Sequence, residues 1–131
     1  MRIMVDTNIL LSAFLFKSKM MWKIVEKIGE NHTLVICKYI IAEFRKVASK
    51  KAPNSIDVDE IFSSFAYEEV ETAEWQEYMG SLRDEDDKPI LASAILADVD
   101  MIVTGDKDFL ESGITHPRII SHLDFLRDYM E

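Results

Sequence analysis

The feature that most constrains the fold lies at the start of the chain. Arg2-Ile3-Met4-Val5 is a short apolar run that ends in a carboxylate, Asp6, and the polar pair Thr7-Asn8 opens a second apolar run at Ile9. An apolar run this short, bounded by polar residues, predicts a buried strand over residues 2–5. Asp6 then stands at the carboxyl end of that strand, the edge at which open parallel α/β sheets bind ligands. A carboxylate in that place either serves the amino end of the next helix or is the first member of a site.

The rest of the chain alternates. Residues 9–16 predict a short helix with Thr7 or Asn8 near its cap, and Met20 to Ile28 an amphipathic helix that stops at Gly29. Thr33 to Cys37 predicts a second strand, and Lys38 to Lys50 a helix with Ile40, Ile41, Phe44 and Val47 inward. A loop at Ala52-Pro53-Asn54-Ser55 precedes a helix over residues 57–66, a short strand over 67–70 and a further helical turn or two over 72–79. Pro89 is tolerated only in a first helical turn, which places a helix start near Asp86 or Asp87 and runs it through Leu96. A strand over 100–104, a short helix from Asp106, a strand over 118–120 and a closing helix over 123–129 complete the order. Strands alternating with helices predict an α/β fold, with a parallel sheet covered on both faces.

A length of 131 residues suits a single domain, 1–131, around one core. No apolar stretch approaches the roughly 18 residues of a membrane span. Met1-Arg2 leads straight into the first strand without a signal-peptide pattern, so a cytoplasmic location is expected. Cys37 is the only cysteine and is expected as a buried apolar residue. The net charge of −9, from 15 basic and 24 acidic residues, argues against a broad electrostatic footprint for nucleic acid. It leaves room for an acidic metal pocket with a local basic rim, or for a basic partner. Lys46 and Lys50, with Lys51 at the end of the helix that carries Glu43, are candidates for that rim, as are Arg45, Lys17 and Lys19; the alternative for the lysines at the helix end is a solvated face favoured by the helix dipole. Met20, Met21 and Trp22 serve either the core or a partner surface.

Several acids fall on element junctions. Asp6 follows the first strand, Asp106 follows the strand over 100–104, and Asp87 opens the helix before that strand. Glu43 lies about one and a half turns into the helix after the second strand. In a parallel sheet all strand carboxyl ends share one edge, so these groups are candidates for one rim. Clustered ionised carboxylates are costly in a partly buried site, and a hard divalent cation offsets that cost. Such a cation supports phosphoryl transfer. The competing explanation is that each aspartate caps a helix. The histidines, His32, His116 and His122, are scattered, and no zinc pattern exists.

Taken together, Val5-Asp6-Thr7-Asn8-Ile9-Leu10, the helix with Ala42-Glu43-Phe44, Asp87-Lys88-Pro89-Ile90-Leu91-Ala92-Ser93-Ala94 and Ile102-Val103-Thr104-Gly105-Asp106-Lys107-Asp108-Phe109-Leu110 resemble the PIN-domain ribonucleases. Order, spacing and length fit over nearly the whole chain, and the small VapC-like toxins of toxin–antitoxin pairs look most similar. The resemblance implies a three-layer α/β/α sandwich around a parallel sheet of four to five strands. It implies an endoribonuclease dependent on Mg²⁺ or Mn²⁺, a homodimer, and a cognate antitoxin as partner. Asp6, Glu43, Asp87 and Asp106 match the family's acidic quartet, and Asp108 a position that assists the metal. Asp87 is chosen from the run Asp84-Glu85-Asp86-Asp87 by its register before Ile90, Leu91 and Ala94, with Asp84 and Asp86 as alternatives. Thr7, Asn8 and Thr104 match polar positions that orient the carboxylates or a metal-bound water. A non-catalytic PIN-fold binding or assembly module is the alternative function. A haloacid-dehalogenase-type phosphatase also begins with a strand and an aspartate, but it needs a second aspartate where this chain has Asn8.

Overall fold

The computed structural model describes residues 1–130. Its sheet holds β1 (Arg2–Val5), β2 (Thr33–Cys37), β3 (Glu68–Val70), β4 (Met101–Thr104) and β5 (Arg118–Ser121). All pairings are parallel, in the order β3-β2-β1-β4-β5. Met4 pairs with Val35 on one side and Ile102 on the other, which fixes β1 as the central strand. Strands β1, β2 and β4 are near-continuous apolar runs because helices cover them on both faces. The edge strand β3 is short and charged, as exposed edges tend to be. The expected sandwich and its five-stranded parallel sheet are therefore present.

The helices are α1 (Thr7–Leu10), α2 (Lys19–Asn31), α3 (Lys38–Lys51), α4 (Val58–Ser63), α5 (Lys88–Leu96), α6 (Lys107–Leu110) and α7 (His122–Tyr129). Phe44, Phe109 and Phe125, from α3, α6 and α7, are the largest fully buried side chains. Helix α5 buries Ile90, Leu91, Ala92, Ser93 and Ala94, so it is apolar nearly all round and lies inside. Cys37 is buried, as expected. Among the described residues no helix is long and apolar enough to cross a membrane.

Four local expectations are corrected. The cap of α1 is neither Thr7 nor Asn8 but Asp6, whose Oδ1 accepts from the Ile9 amide at 2.9 Å. Gly29 does not stop α2, which runs on to Asn31. The buried stripe Ile24, Val25 and Ile28 anchors the helix against the core, and that burial outweighs the roughly 1 kcal/mol that a helical glycine costs. The helix over 57–66 shortens to α4, and the chain is released in time to form β3. Residues 72–79 form only a 3₁₀ turn at Glu77–Met79. Their polar groups are committed elsewhere: Thr72 Oγ1 accepts from the Tyr39 amide and the Ala73 amide donates to Ser93 Oγ, both at 2.8 Å.

The strand order positions the site. From β1 the chain moves to β2 and β3 on one side, then crosses back to β4 and β5 on the other. Between β1 and β4 the connections diverge, and the carboxyl ends of these two strands border a crevice.

Candidate active site

Asp6 leaves the end of β1 and is 3% exposed. Both of its oxygens are held: Oδ1 by the Ile9 amide and Oδ2 by the hydroxyl of Thr104, at the end of β4. Thr104 Oγ1 in turn accepts from the Asp106 amide at 3.0 Å. That bond directs the hydroxyl proton toward Asp6 and ties the two strand ends together. Asp106 caps α6, its Oδ1 accepting from the Asp108 amide at 2.8 Å. On the other side, buried Thr7 donates its hydroxyl to Glu43 Oε1, so α1 holds the carboxylate of α3 in place.

Asp87 differs from these. It occupies the N-cap position of α5 but makes no capping hydrogen bond. Its side chain is buried, and Oδ2 has no partner among the described residues. A helix cap therefore accounts for one oxygen of Asp6 and one of Asp106, and does not account for Asp87.

These groups converge. A cavity of about 170 Å³ is lined by Asp6, Thr7, Asn8, Glu43, Asp84, Asp86, Asp87 and Asp106, with Leu11, Val47 and Ile90 as its apolar wall. Asp108 does not line this cavity. It lies with Asp84 and Asp87 in a group whose carboxylate oxygens are all within 4.8 Å of one another. Arg83 reaches Asp108 at 3.1 Å and Glu111 at 3.0 Å. A larger cavity, about 360 Å³, is bordered by Phe14, Trp22, Val25, Glu26, Glu30 and Phe65; among the described residues its two glutamates join no metal-ligating group, and the converging acids belong to the smaller one.

Electrostatics follow from the crowding. Burial pushes Asp6 above the usual carboxylate range, against the bonds from Thr104 and Ile9. Burial likewise raises Glu43, opposed by Thr7 and reinforced by the charge of Asp86. Asp87 is pushed up to about 8, first by burial and then by the charges of Asp106 and Asp84. At neutral pH a protein with no cation bound therefore keeps a proton on Asp87. The donor set fits a hard divalent cation: carboxylate oxygens only, one of them buried and unpartnered. Among the described residues no histidine or cysteine joins a metal-ligating group.

Of the residues named from sequence, Asp6, Thr7, Asn8, Glu43, Asp87 and Asp106 share the cavity, and Thr104 stands directly behind Asp6. Asp84 and Asp86, kept as alternatives to Asp87, line it as well. Lys46 and Lys50 are exposed and do not line it, although Val47 beside them does. Arg45 is tied to Asp59 at 2.8 Å. Three neighbours escaped sequence reasoning. Tyr39 has its hydroxyl pushed up to about 12, by burial and then by the charge of Glu43; its position one turn before Glu43 was the available signal. His122 packs its ring against Gly105, where a Cβ would come within 3.2 Å of Nδ1. Arg83 pairs with Asp108 across a wide gap in sequence. Neither of the last two left a local signal.

A family model described as a PIN domain matches residues 2–108. No curated protein matches the chain. Among solved structures it is similar to a chain in the crystal structure of VapBC2 from Rickettsia felis bound to a DNA fragment from their promoter. The TM-score is 0.70 at 21% identity, covering 92% of this chain and 98% of that one. At that identity the likeness is one of fold.

Proposed function

The chain belongs to the PIN-domain family, and within that family we propose that it is a divalent-metal-dependent endoribonuclease, the toxin of a toxin–antitoxin pair. The observation that carries the chemistry is the buried, unpartnered oxygen of Asp87 among converging acids. The fold shared with a VapBC2 chain supports the toxin assignment. An antitoxin as partner, a homodimer and a cytoplasmic location belong to the same proposal.

Asp6, Asp87 and Asp106 are the residues to hold Mg²⁺ or Mn²⁺, with Asp108 and Asp84 at the outer side. A cation held there supplies Lewis acidity to a phosphoryl oxygen and offsets the charge that develops during in-line displacement. The chain's own residues do the rest. Thr104 and the Ile9 amide keep Asp6 fixed, so its carboxylate needs no reorganisation. Glu43, fixed by Thr7 and raised by burial, is suited to take a proton from the attacking water. The wall of Leu11, Val47 and Ile90 limits solvent at one side of the cavity.

The test is direct. Purified protein should cleave single-stranded RNA with Mg²⁺ or Mn²⁺ and lose cleavage on chelation, and Asp6→Asn should abolish it with the fold intact. Full activity in Asp6→Asn would overturn the proposal. Wild-type protein that neither cleaves RNA nor binds a divalent cation would favour the non-catalytic module.

A further inference from the structure

We infer that the segment Phe16 to Lys23 is a second contact surface for single-stranded RNA, outside the acidic cavity; this rests on the ribonuclease reading above. Between the helical run of residues 7–15 and α2, the chain turns through Lys17 in the left-handed region, at φ 56. The turn is fixed by the Ser18 amide bonding to Ser12 O at 2.8 Å and by Ser18 Oγ accepting from the Met21 amide at 3.3 Å. Beside it lies a cavity of about 270 Å³ lined by Ala13, Lys17, Ser18, Lys19, Trp22 and Lys23.

Two properties meet at this place. The first is charge. Lys17, Lys19 and Lys23 are exposed, and none forms an ion pair among the described residues. In a chain with net charge −9 this is a local reversal of sign. The second is exposed aromatic surface. Trp22 is 44% exposed and Phe16 60% exposed, at the same turn. Cations for phosphates next to flat rings for bases are the combination that binds single-stranded nucleic acid without reading its sequence. A peptide of acidic residues alone would use the lysines and leave the rings without a role. A second copy docked face to face would set these lysines against their own equivalents, because a two-fold interface is self-complementary.

The surface is placed to extend the acidic site. Asp6 caps one end of the helical run over residues 7–15, and Phe16 and Lys17 follow its other end. At 1.5 Å per residue the two ends are separated by roughly 15 Å. One strand several nucleotides long can touch both, with the phosphate to be cut in the cavity and neighbouring nucleotides against Trp22 and the lysines.

The test uses the full chain carrying Asp6→Asn, which removes cleavage, and a fluorescein-labelled oligouridylate of about twelve nucleotides, within single-strand site sizes. Binding is followed by anisotropy across a series of salt concentrations. The further triple change Lys17→Ala, Lys19→Ala, Lys23→Ala should lower affinity at least about tenfold and reduce the log–log salt slope by about 2, at roughly 0.7 per neutralised phosphate. Trp22→Ala should weaken binding by about tenfold and leave the slope unchanged. Circular dichroism establishes that each variant is folded, and Trp22→Phe, which keeps a ring, should restore most of the affinity. No RNA binding, or an unchanged affinity and slope in the folded triple variant, overturns the inference. So does a triple variant that changes only the sedimentation coefficient, which would make the face a contact between copies. In the otherwise wild-type chain, the triple variant should cleave a dinucleotide at the wild-type rate and raise KM for a long strand. Absent cleavage by the wild type with the salt-slope effect intact would sink the nuclease reading and leave this surface standing.

Discussion

The two sides of the acidic cavity are built on different terms. Asp6 and Asp87 are buried almost equally, at 3% and 7% exposure. Asp6 has a protein donor on each oxygen, whereas Asp87 has an oxygen with none. The fold alone fixes Asp6, because β1, β4 and α1 all supply something to it. The fold buries Asp87 but leaves it incomplete, and burial together with the charges of Asp106 and Asp84 raises it to about 8. One side of the site is thus finished by the chain, and the other is finished by a proton or by a cation.

The largest effect should come from breaking the finished side. Asp6→Asn is expected to lower RNA cleavage by more than about 100-fold, the upper end seen when a residue that merely orients a metal ligand is lost. Initial rates with Mn²⁺, with circular dichroism as the control, measure it.

The unfinished side should show itself through pH. Asp87 carries its proton in the cation-free folded state up to about pH 8, and its unfolded value is near 3.9. Between those values the folded state binds more protons than the unfolded one, so stability falls as pH rises. From about pH 5 to about pH 7 the expected loss is on the order of 2–3 kcal/mol, at 1.36 kcal/mol per unit. Urea unfolding in chelator at both pH values measures it, and Asp87→Asn should reduce the difference. Raised Asp6 and Glu43 act with the same sign.

A smaller effect separates the two sides again. Thr104→Val removes the donor on Asp6 Oδ2 and also the acceptor for the Asp106 amide. Cation affinity or cleavage should drop by roughly 10–100-fold, read by calorimetry and initial rates. The smallest change is expected from Arg83→Ala. Its pairs with Asp108 and Glu111 leave the side chain 75% exposed, so unfolding free energy should move by less than about 1 kcal/mol.

The sheet and most helices were legible because burial leaves a period in the sequence. Strand β1, for example, is a run of apolar residues with a carboxylate at its end. The acids were legible for a related reason: each stands where an apolar run stops. Their hydrogen bonds were not legible. Capping and site membership looked like rival explanations for Asp6, yet it caps α1 with one oxygen and lines the cavity as well. Residues 72–79 misled because Thr72 and Ala73 bond to Tyr39 and Ser93, partners 33 and 20 residues away, and a helical pattern carries no trace of them. The same holds for Arg83 and His122, whose neighbours are brought in only by the fold. Gly29 misled in the opposite direction, since a local breaker gave way to the buried stripe of α2.

The central claim is that a cation replaces a proton at Asp87. Calorimetric titration of the wild-type protein with Mn²⁺ near pH 7, repeated in two buffers of different ionisation enthalpy, measures the protons released per cation bound. Release of about one proton is expected, because the metal takes the carboxylate in its charged form, and Asp87→Asn should abolish most of it. Binding with no proton release, or the same release from Asp87→Asn, would contradict the claim.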